Sequence, residues 1–179
     1  MKKILIIFTF LLITCGISNA QYFSIMGQTG IALNLQSNSA QSVFGLNIAN
    51  VAAQYTFTPL FATRFNFQTY LLLGSTTTNA FGFTTSSNSA FLINIKGDFL
   101  IGQLEKNSSM QYYGYIGPGM SIPTNTGGGG PYFHIDFGGG ANFKIASSLS
   151  INTEVGFGLA TSSPVFLYIP FRGGIKYDF

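Results

Sequence analysis

The sequence predicts an all-β chain that folds into an eight-stranded, antiparallel, up-and-down transmembrane β-barrel. Of its 179 residues, 46% are hydrophobic and only 7% are charged, whereas an ordinary soluble domain has about 25% charged residues. Past residue 20, no apolar run approaches the roughly 20 residues that a membrane-spanning helix needs. Hydrophobic residues instead alternate with polar ones in about eight segments, which is typical of strands with one lipid face and one lumen face.

The first 20 residues have the pattern of a secretory signal peptide. Lys2 and Lys3 form the positive start, residues 4–13 form the apolar centre, and small residues lead to a cleavage site after Ala20. We therefore expect two regions, a signal peptide at 1–20 and a membrane barrel at 21–179. Two alternatives stay open: the segment remains as a membrane anchor, or Cys15 becomes the lipidated first residue of a lipoprotein.

Cleavage after Ala20 changes the chemistry available to the mature chain. It removes Cys15, the only cysteine, so neither a disulfide nor a cysteine-ligated metal is expected. The one histidine does not supply the three or four ligands that zinc requires. Cleavage also removes Lys2 and Lys3, which leaves six cationic residues against five acidic ones. We therefore expect no cofactor and no nucleic-acid partner.

The first three predicted strands differ in how clearly they alternate. Strand one, about Phe23 to Gln36, is weak, and strand two shifts its outward row near Asn50, which predicts a β-bulge. Strand three, at 61–73, alternates throughout. Its apolar face carries Phe61, Phe65, Phe67, Leu71 and Leu73, and its polar face carries Arg64, Asn66, Gln68 and Tyr70.

The remaining five strands repeat this two-residue period. Strand five, about Met110 to Ile122, is rich in Tyr and Gly and contains Pro118, a residue type that normally occupies an edge strand or a bulge. Each of the other four combines an outward apolar row with an inward polar row. The outward rows are Phe91-Ile93-Ile95-Phe99-Ile101, Phe133-Ile135-Phe137-Phe143, Leu149-Ile151-Val155-Phe157 and Phe171-Ile175-Tyr177-Phe179.

The positions of the charges distinguish a membrane barrel from a soluble β-sandwich, which would carry its charges outside. A charge on the lipid face costs about 2–4 kcal/mol near the bilayer centre. Of the 11 charged residues after position 20, nine lie on the polar faces, and only Glu105 and Lys106 lie in a turn. The predicted lumen network consists of Arg64, Lys96, Asp98, His134, Asp136, Lys144, Glu154, Arg172 and Lys176, with Asp178 on the same face.

The connections between predicted strands alternate between short and long, as in outer-membrane barrels. The predicted periplasmic turns are residues 58–60, 102–109 and 146–148, and the predicted outer loops are residues 37–42, 75–89, 123–131 and 161–164. Symmetric hairpins about these loops set Glu154 opposite Arg172. The same geometry sets Tyr113 opposite Gly140 and Tyr115 opposite Gly138, where the rings would cover bare backbone.

The last eight residues resemble the C-terminal assembly signal of outer-membrane β-barrel proteins. That signal has a polar residue, a glycine two positions on, and aromatic residues third from last and last; Arg172, Gly174, Tyr177 and Phe179 occupy these places. The whole mature chain resembles the small eight-stranded outer-membrane barrels, the family of outer-membrane protein X and related surface-antigen barrel domains. The resemblance implies insertion into outer-membrane lipid of a Gram-negative cell by the barrel assembly machinery, and it implies no single activity.

The chain departs from many members of that family in having no Trp. Tyrosine and phenylalanine would then form the aromatic girdles at the membrane interfaces. The tyrosines expected there are Tyr22, Tyr112, Tyr132, Tyr168 and Tyr177.

The sequence favours an integral outer-membrane barrel with a structural or surface-interaction role and no catalysis, because an eight-stranded lumen is just wide enough to fill with side chains. One alternative is a narrow, porin-like channel for small or hydrophobic solutes, left open by inward glycines at 138, 140, 156 and 158. Another is a lipid-modifying enzyme that uses Ser121, His134 and Asp136, although the two-residue alternation of the strand places His134 on the lumen face, away from lipid. The sequence does not identify a ligand for the outer loops.

Overall fold

The computed structural model describes residues 21–35, 44–73, 90–124, 130–161 and 166–179. Eight strands within these ranges pair antiparallel in chain order, and the last strand pairs with the first, so the sheet closes into a barrel. The predicted fold class is confirmed. The strands are β1 (Tyr22–Asn34), β2 (Phe44–Thr56), β3 (Phe61–Leu73), β4 (Ala90–Gln103), β5 (Met110–Pro123), β6 (Tyr132–Lys144), β7 (Leu149–Ala160) and β8 (Phe166–Asp178).

The two ends of the barrel have different connections. Turns at 57–60, 104–109 and 145–148 join strands at one end, which we name the turn end. The opposite end, the loop end, is where the chain passes between strands at 35–43, 74–89, 124–131 and 161–165. The predicted signal peptide and most of the predicted outer-loop residues lie outside the described residues.

The stagger of the strands sets the width of the barrel. Paired residues followed around the sheet from Ile101 on β4 lead back to β4 at Phe91, ten residues away. Such a stagger in an eight-stranded barrel tilts the strands by roughly 40° from the axis and leaves an interior that side chains can fill.

The polarity of the barrel is inverted relative to a soluble domain. Large apolar side chains lie outside, as at Phe133 and Phe99, which are 69% and 62% exposed. Charged side chains lie inside, as at Arg64 and Lys176, which are 2% and 0% exposed. Because hydrocarbon solvates an apolar exterior, this arrangement is the one that a membrane-spanning barrel requires. Among the described residues, none belongs to a helix long and apolar enough to cross a membrane.

The predicted bulge in β2 is present, slightly nearer the loop end than Asn50. The register shifts between Asn47 and Ala49, where a bulge frees backbone carbonyls from the ladder. The hydroxyls of Thr29 and Thr69 donate hydrogen bonds to the carbonyls of Asn47 and Ala49, at 2.6 and 3.3 Å. Both threonine side chains are at outward, lipid-facing positions. They therefore donate hydrogen bonds to backbone oxygens that lipid could not satisfy.

Pro118 occupies neither an edge nor a register shift. The pairing of β5 with β4 passes from Gly119 opposite Lys96 to Ile116 opposite Phe99 in one register, with no paired residues between. On its other side Pro118 pairs with Ile135 of β6. The β4–β5 pairing therefore has a local gap at Pro118, which has no N–H to donate. Because the barrel is closed, it has no edge strand, so the edge position that is normal for a strand proline does not exist here.

The interface tyrosines were only partly predicted correctly. Tyr112 and Tyr177 point outward at the turn end, and Tyr55, which the sequence analysis missed, joins them there. Tyr22, Tyr132 and Tyr168 were assigned wrongly, since they lie on the inward parity. Tyr22 is buried, and its hydroxyl donates a hydrogen bond to the carbonyl of Leu104 at 2.8 Å.

A charge placed on the lipid face at mid-strand tests this orientation. We expect Val155→Arg to lower the free energy of unfolding by about 2–4 kcal/mol in lipid vesicles, because the guanidinium meets hydrocarbon. Ile145→Arg, in a turn at the barrel rim, is the control and should cost about 0–1 kcal/mol. Denaturant titration of vesicle-refolded protein measures both, and equal costs would contradict the assigned orientation.

Candidate functional site: the lumen network

Inward glycines on β6 and β7 make room for large rings from neighbouring strands. Tyr113 lies opposite Gly140 and Tyr115 opposite Gly138, the pairings that the hairpin geometry predicts. A Cβ at Gly140 would lie 2.7 Å from the Tyr113 ring, and one at Gly138 would lie 2.8 Å from the Tyr115 hydroxyl. These side chains therefore lie against bare backbone, where any larger residue would displace them.

Two further rings are packed in the same way. The ring of Tyr168 covers Gly158, and the imidazole of His134 covers Gly119, where a Cβ would lie 2.5 Å from Nε2. Gly156 is covered by the Tyr115 hydroxyl. The space at these inward glycines, on which the alternative of a narrow channel depends, is therefore occupied by side chains.

Six buried charges form a closed ring across the lumen, which we name the ion ring. Three cations alternate with three carboxylates in the order Arg64, Asp98, Lys96, Asp136, Arg172, Glu154 and back to Arg64. Its contacts include Arg64–Asp98 at 2.6 Å, Lys96–Asp98 at 3.2 Å and Lys96–Asp136 at 3.0 Å. The Arg172 contacts are longer, 3.6 Å to Glu154 and 3.9 Å to Asp136. Because its charges cancel, the ion ring adds no net charge to the lumen.

Tyr115 occupies the centre of the ion ring. The charged groups of Arg64, Lys96 and Arg172 lie 5.6, 5.1 and 5.5 Å from the centre of its aromatic ring. Arg172 also donates a hydrogen bond to the Tyr115 hydroxyl at 2.8 Å. Cation–π attraction is stronger when the partners are desolvated, so Tyr115 holds all three cations of the ion ring.

A chain of neutral amides connects the ion ring to the turn end. The Tyr113 hydroxyl donates to Glu154 at 2.6 Å and accepts from Asn152 at 2.8 Å. Asn152 donates to Asn142 at 2.6 Å, and Asn142 donates to Gln111 at 2.9 Å. In this chain the amides of Asn152, Asn142 and Gln111 are hydrogen-bonded to one another, as buried polar groups usually are.

The turn end is closed by its own residues. Lys176 pairs with Asp178 at 3.0 Å and donates to Gln111 at 2.9 Å. The turn at 104–109 folds inward, and Leu104 is 0% exposed against Ala62, Leu100 and the two lumen tyrosines. This end of the lumen is therefore packed shut.

The residues that the sequence predicts for the lumen network lie in two parts of the lumen, the ion ring and the turn end. The ion ring brings together Arg64, Lys96, Asp98, Asp136, Glu154 and Arg172, whereas Lys176 and Lys144 lie toward the turn end. Lys144 is only half-buried and donates to the carbonyl of Lys106 at 2.9 Å. Of the assembly-signal residues, Arg172 and Gly174 face inward, while Tyr177 and Phe179 face outward.

The lumen residues that sequence reasoning missed are mainly neutral. Tyr115, the hub of the ion ring, was predicted only as a cover for a glycine, and Gln111, Asn142 and Asn152 were not assigned to the network. Asn142 and Asn152 share the inward face with the charged residues of β6 and β7, whereas β5, which carries Gln111 and Tyr115, has no charged residue to mark its inward face. Applying the two-residue alternation to the uncharged residues of β5 would have identified Gln111 and Tyr115.

His134 and Ser121 are brought together but Asp136 is not. Ser121 Oγ lies 3.0 Å from His134 Nδ1, while Asp136 binds Lys96 at 3.0 Å and accepts a hydrogen bond from Tyr168. His134 Nε2 has no hydrogen-bond partner among the described residues, and the side chain is 3% exposed. The part of the chain that the structure describes contains no group of three or more potential metal-ligating side chains.

An apolar shell around a closed eight-stranded sheet, with its charges paired inside, defines the class as a membrane-spanning β-barrel of the eight-stranded outer-membrane fold. Among solved structures, neisserial surface protein A (NspA) matches with a TM-score of 0.63 and 11% identity, covering 88% of this chain and 97% of that one. The N-terminal barrel domain of Pseudomonas aeruginosa OprF matches with a TM-score of 0.50 and 9% identity, covering 87% and 97%. At these identities the likeness is one of fold. No protein-family model and no curated protein matches the sequence.

Removing one carboxylate tests the ion ring. Glu154→Ala leaves Arg64 and Arg172 facing each other without their shared partner, and breaking a buried pair in this way costs about 3–5 kcal/mol. We expect a lower melting temperature in detergent. Glu105→Ala, at an exposed turn position, is the control and should leave the melting temperature unchanged. Equal melting temperatures for the two variants would refute the ring.

Adjacent glycines provide a matched test of ring packing. Gly138→Ala drives a methyl group against the backbone of β7 and the Tyr115 hydroxyl, so we expect destabilisation by at least about 1–3 kcal/mol. Gly139→Ala points outward, where the nearest atom is the Tyr113 carbonyl oxygen at 3.4 Å, and it should change stability by under about 0.5 kcal/mol. The folded fraction on an unheated gel and the melting temperature report both, and the reverse order would contradict the packing.

Proposed function

We propose that this protein is an integral outer-membrane β-barrel with a structural or surface-interaction role, a closed lumen and no catalytic activity. The observation that carries the proposal is the neutral ion ring around Tyr115, which fills the lumen inside an apolar shell. A barrel that conducts needs an aqueous path, and a barrel that acts on lipid needs reactive groups on its outer face. The described residues offer neither.

The outer-membrane location is supported by three independent features. The exterior is apolar over the length of the strands, the first 20 residues match a secretory signal, and residues 172–179 resemble the signal read by the barrel assembly machinery. The connections of the loop end are rich in Ser, Thr, Asn and Gly. Their neutral composition suits exposure at the cell surface.

Membrane fractionation followed by gel electrophoresis tests the location and the fold together. We expect the protein in the outer-membrane fraction, where it migrates faster before boiling than after, because a folded barrel stays compact in detergent. Replacing Phe179 with Gln should reduce the folded fraction if the assembly signal is used. Recovery of the protein in the soluble fraction, or identical migration before and after boiling, would overturn the proposal.

Conductance separates the closed barrel from a narrow channel. Refolded protein in a planar bilayer should give no reproducible current steps, since side chains obstruct the lumen at the ion ring. Tyr115→Ala removes the central obstruction and should give steps, which makes it the positive control for correct insertion. Reproducible steps from the unaltered protein would favour the channel instead.

The lipid-modifying alternative depends on Ser121 and His134. These side chains are hydrogen-bonded but face the lumen, and the expected acid is bound elsewhere. We expect no phospholipid or lipid A hydrolysis by the refolded barrel in mixed micelles. Hydrolysis that disappears in His134→Ala, with the folded fraction unchanged on a gel, would reverse this conclusion.

A further inference from the structure

The turn at 104–109 joins β4 to β5, on the side of the barrel opposite the seam at which β8 pairs with β1. It folds into the barrel end instead of pointing away from it, and Leu104 is fully buried. The Tyr22 hydroxyl, on β1, donates a hydrogen bond to the Leu104 carbonyl oxygen at 2.8 Å, across 82 residues of sequence. The turn therefore reaches across the lumen, and we name residues 104–109 the strap.

The backbone of the strap is hydrogen-bonded to several separate elements. Its first three carbonyl oxygens accept hydrogen bonds from Tyr22 of β1, Gln111 of β5 and Lys144 of β6, at 2.8, 2.9 and 2.9 Å. The Leu104 N–H donates to the Pro59 carbonyl oxygen, in the turn between β2 and β3, at 2.6 Å. Because these partners come from different parts of the sheet, the strap has all of them only when the sheet is closed.

The strap also contacts both strands of the seam. Lys106 donates a hydrogen bond to the carbonyl oxygen of Phe179, the residue directly after β8. The Lys106 ammonium also lies 5.9 Å from the centre of the Tyr22 ring of β1, within the range of a cation–π contact. The Phe179 N–H in turn donates to the Phe23 carbonyl oxygen of β1 at 2.9 Å. This backbone bond of the seam therefore lies directly beside the strap.

The seam differs from the other seven pairs of neighbouring strands. Those pairs are consecutive in the chain, whereas the seam joins the first strand to the last. Strand β1 begins and strand β8 ends at the turn end of the barrel, beside the strap. Because the ends of a structured chain open more readily than its interior, the seam at the turn end is where local opening of the barrel is expected first.

We propose that the strap is a lock for the seam, which docks once the sheet has closed and then suppresses the opening of β1 from β8 at the turn end. Its backbone bonds anchor it across the lumen, and Lys106 holds the end of β8 against β1. When the strap is undocked, the sheet remains a barrel but its seam opens locally. This inference rests on the barrel of the proposed function and adds to its structural role a device that keeps the barrel closed.

Amide hydrogen exchange, measured by NMR on protein refolded in detergent micelles, tests the lock. Lys106→Met removes the hydrogen bond to Phe179 and keeps the length of the side chain. We expect the Phe179 amide to exchange roughly two- to tenfold faster, as for the loss of one hydrogen bond. The amide of Ile145, bonded to Leu149 at 2.9 Å in another turn at the same end, should be unchanged. Asn107→Ala, at an exposed strap position, is the control and should change neither amide.

A second variant tests the other side of the lock. Tyr22→Phe removes the hydroxyl that holds Leu104 and keeps the ring, and it should also accelerate exchange at Phe179 and not at Ile145. Equal acceleration at both amides, or none at Phe179, would overturn the lock. Loss of the fast-migrating band on an unheated gel in Lys106→Met would also overturn it, because the strap would then be needed to form the barrel. The same gel with unaltered protein tests the barrel itself, so failure of the barrel and failure of the lock are distinguishable.

Discussion

Rings laid over inward glycines are the packing interaction on which the rest of the lumen depends. The Tyr115 hydroxyl lies against Gly138 and Gly156, where a Cβ would come within 2.8 and 2.4 Å of it, and in that position the Tyr115 ring is in cation–π contact with all three cations of the ion ring. In the same way, Tyr113 lies against Gly140 and Tyr168 lies against Gly158. These positions bring Tyr113 within hydrogen-bonding distance of Glu154 and Tyr168 within hydrogen-bonding distance of Asp136. Glycine, usually a weak residue in strands, here determines where the charges can go.

Electrostatics explains why the ion ring closes. Each buried charge pays a desolvation cost that one partner rarely offsets, and a closed alternating ring gives every member two partners of opposite sign. Arg64 joins Asp98 to Glu154, and Lys96 joins Asp98 to Asp136. The ion ring is therefore neutral as a unit, and it couples the positions of β3, β4, β6, β7 and β8 through side chains as well as through the backbone.

The alternation of apolar and polar residues predicted the strands and their faces, and hairpin symmetry predicted that Glu154 pairs with Arg172. These features depend only on residues close together in the sequence or on one hairpin. The alternation could not predict that Lys96 meets Asp136, since β4 and β6 are not adjacent and their contact depends on the stagger of the whole barrel. Tyr132 and Tyr168 were assigned to the membrane interface from residue type alone. Tyr132 lies two residues from His134, and Tyr168 lies four residues from Arg172, so both tyrosines face inward like these neighbours. The two-residue alternation therefore predicts their orientation better than the residue type does.

The interior of the barrel is arranged in layers along the barrel axis. Leu104 closes the turn end, and the ion ring fills the middle of the lumen. Two successive levels of the lumen are therefore occupied by side chains of the barrel wall and of one turn. All six charges of the ion ring lie on strands and none lies in a connecting segment, so the sequence of those segments can vary without removing the charges that hold the barrel together.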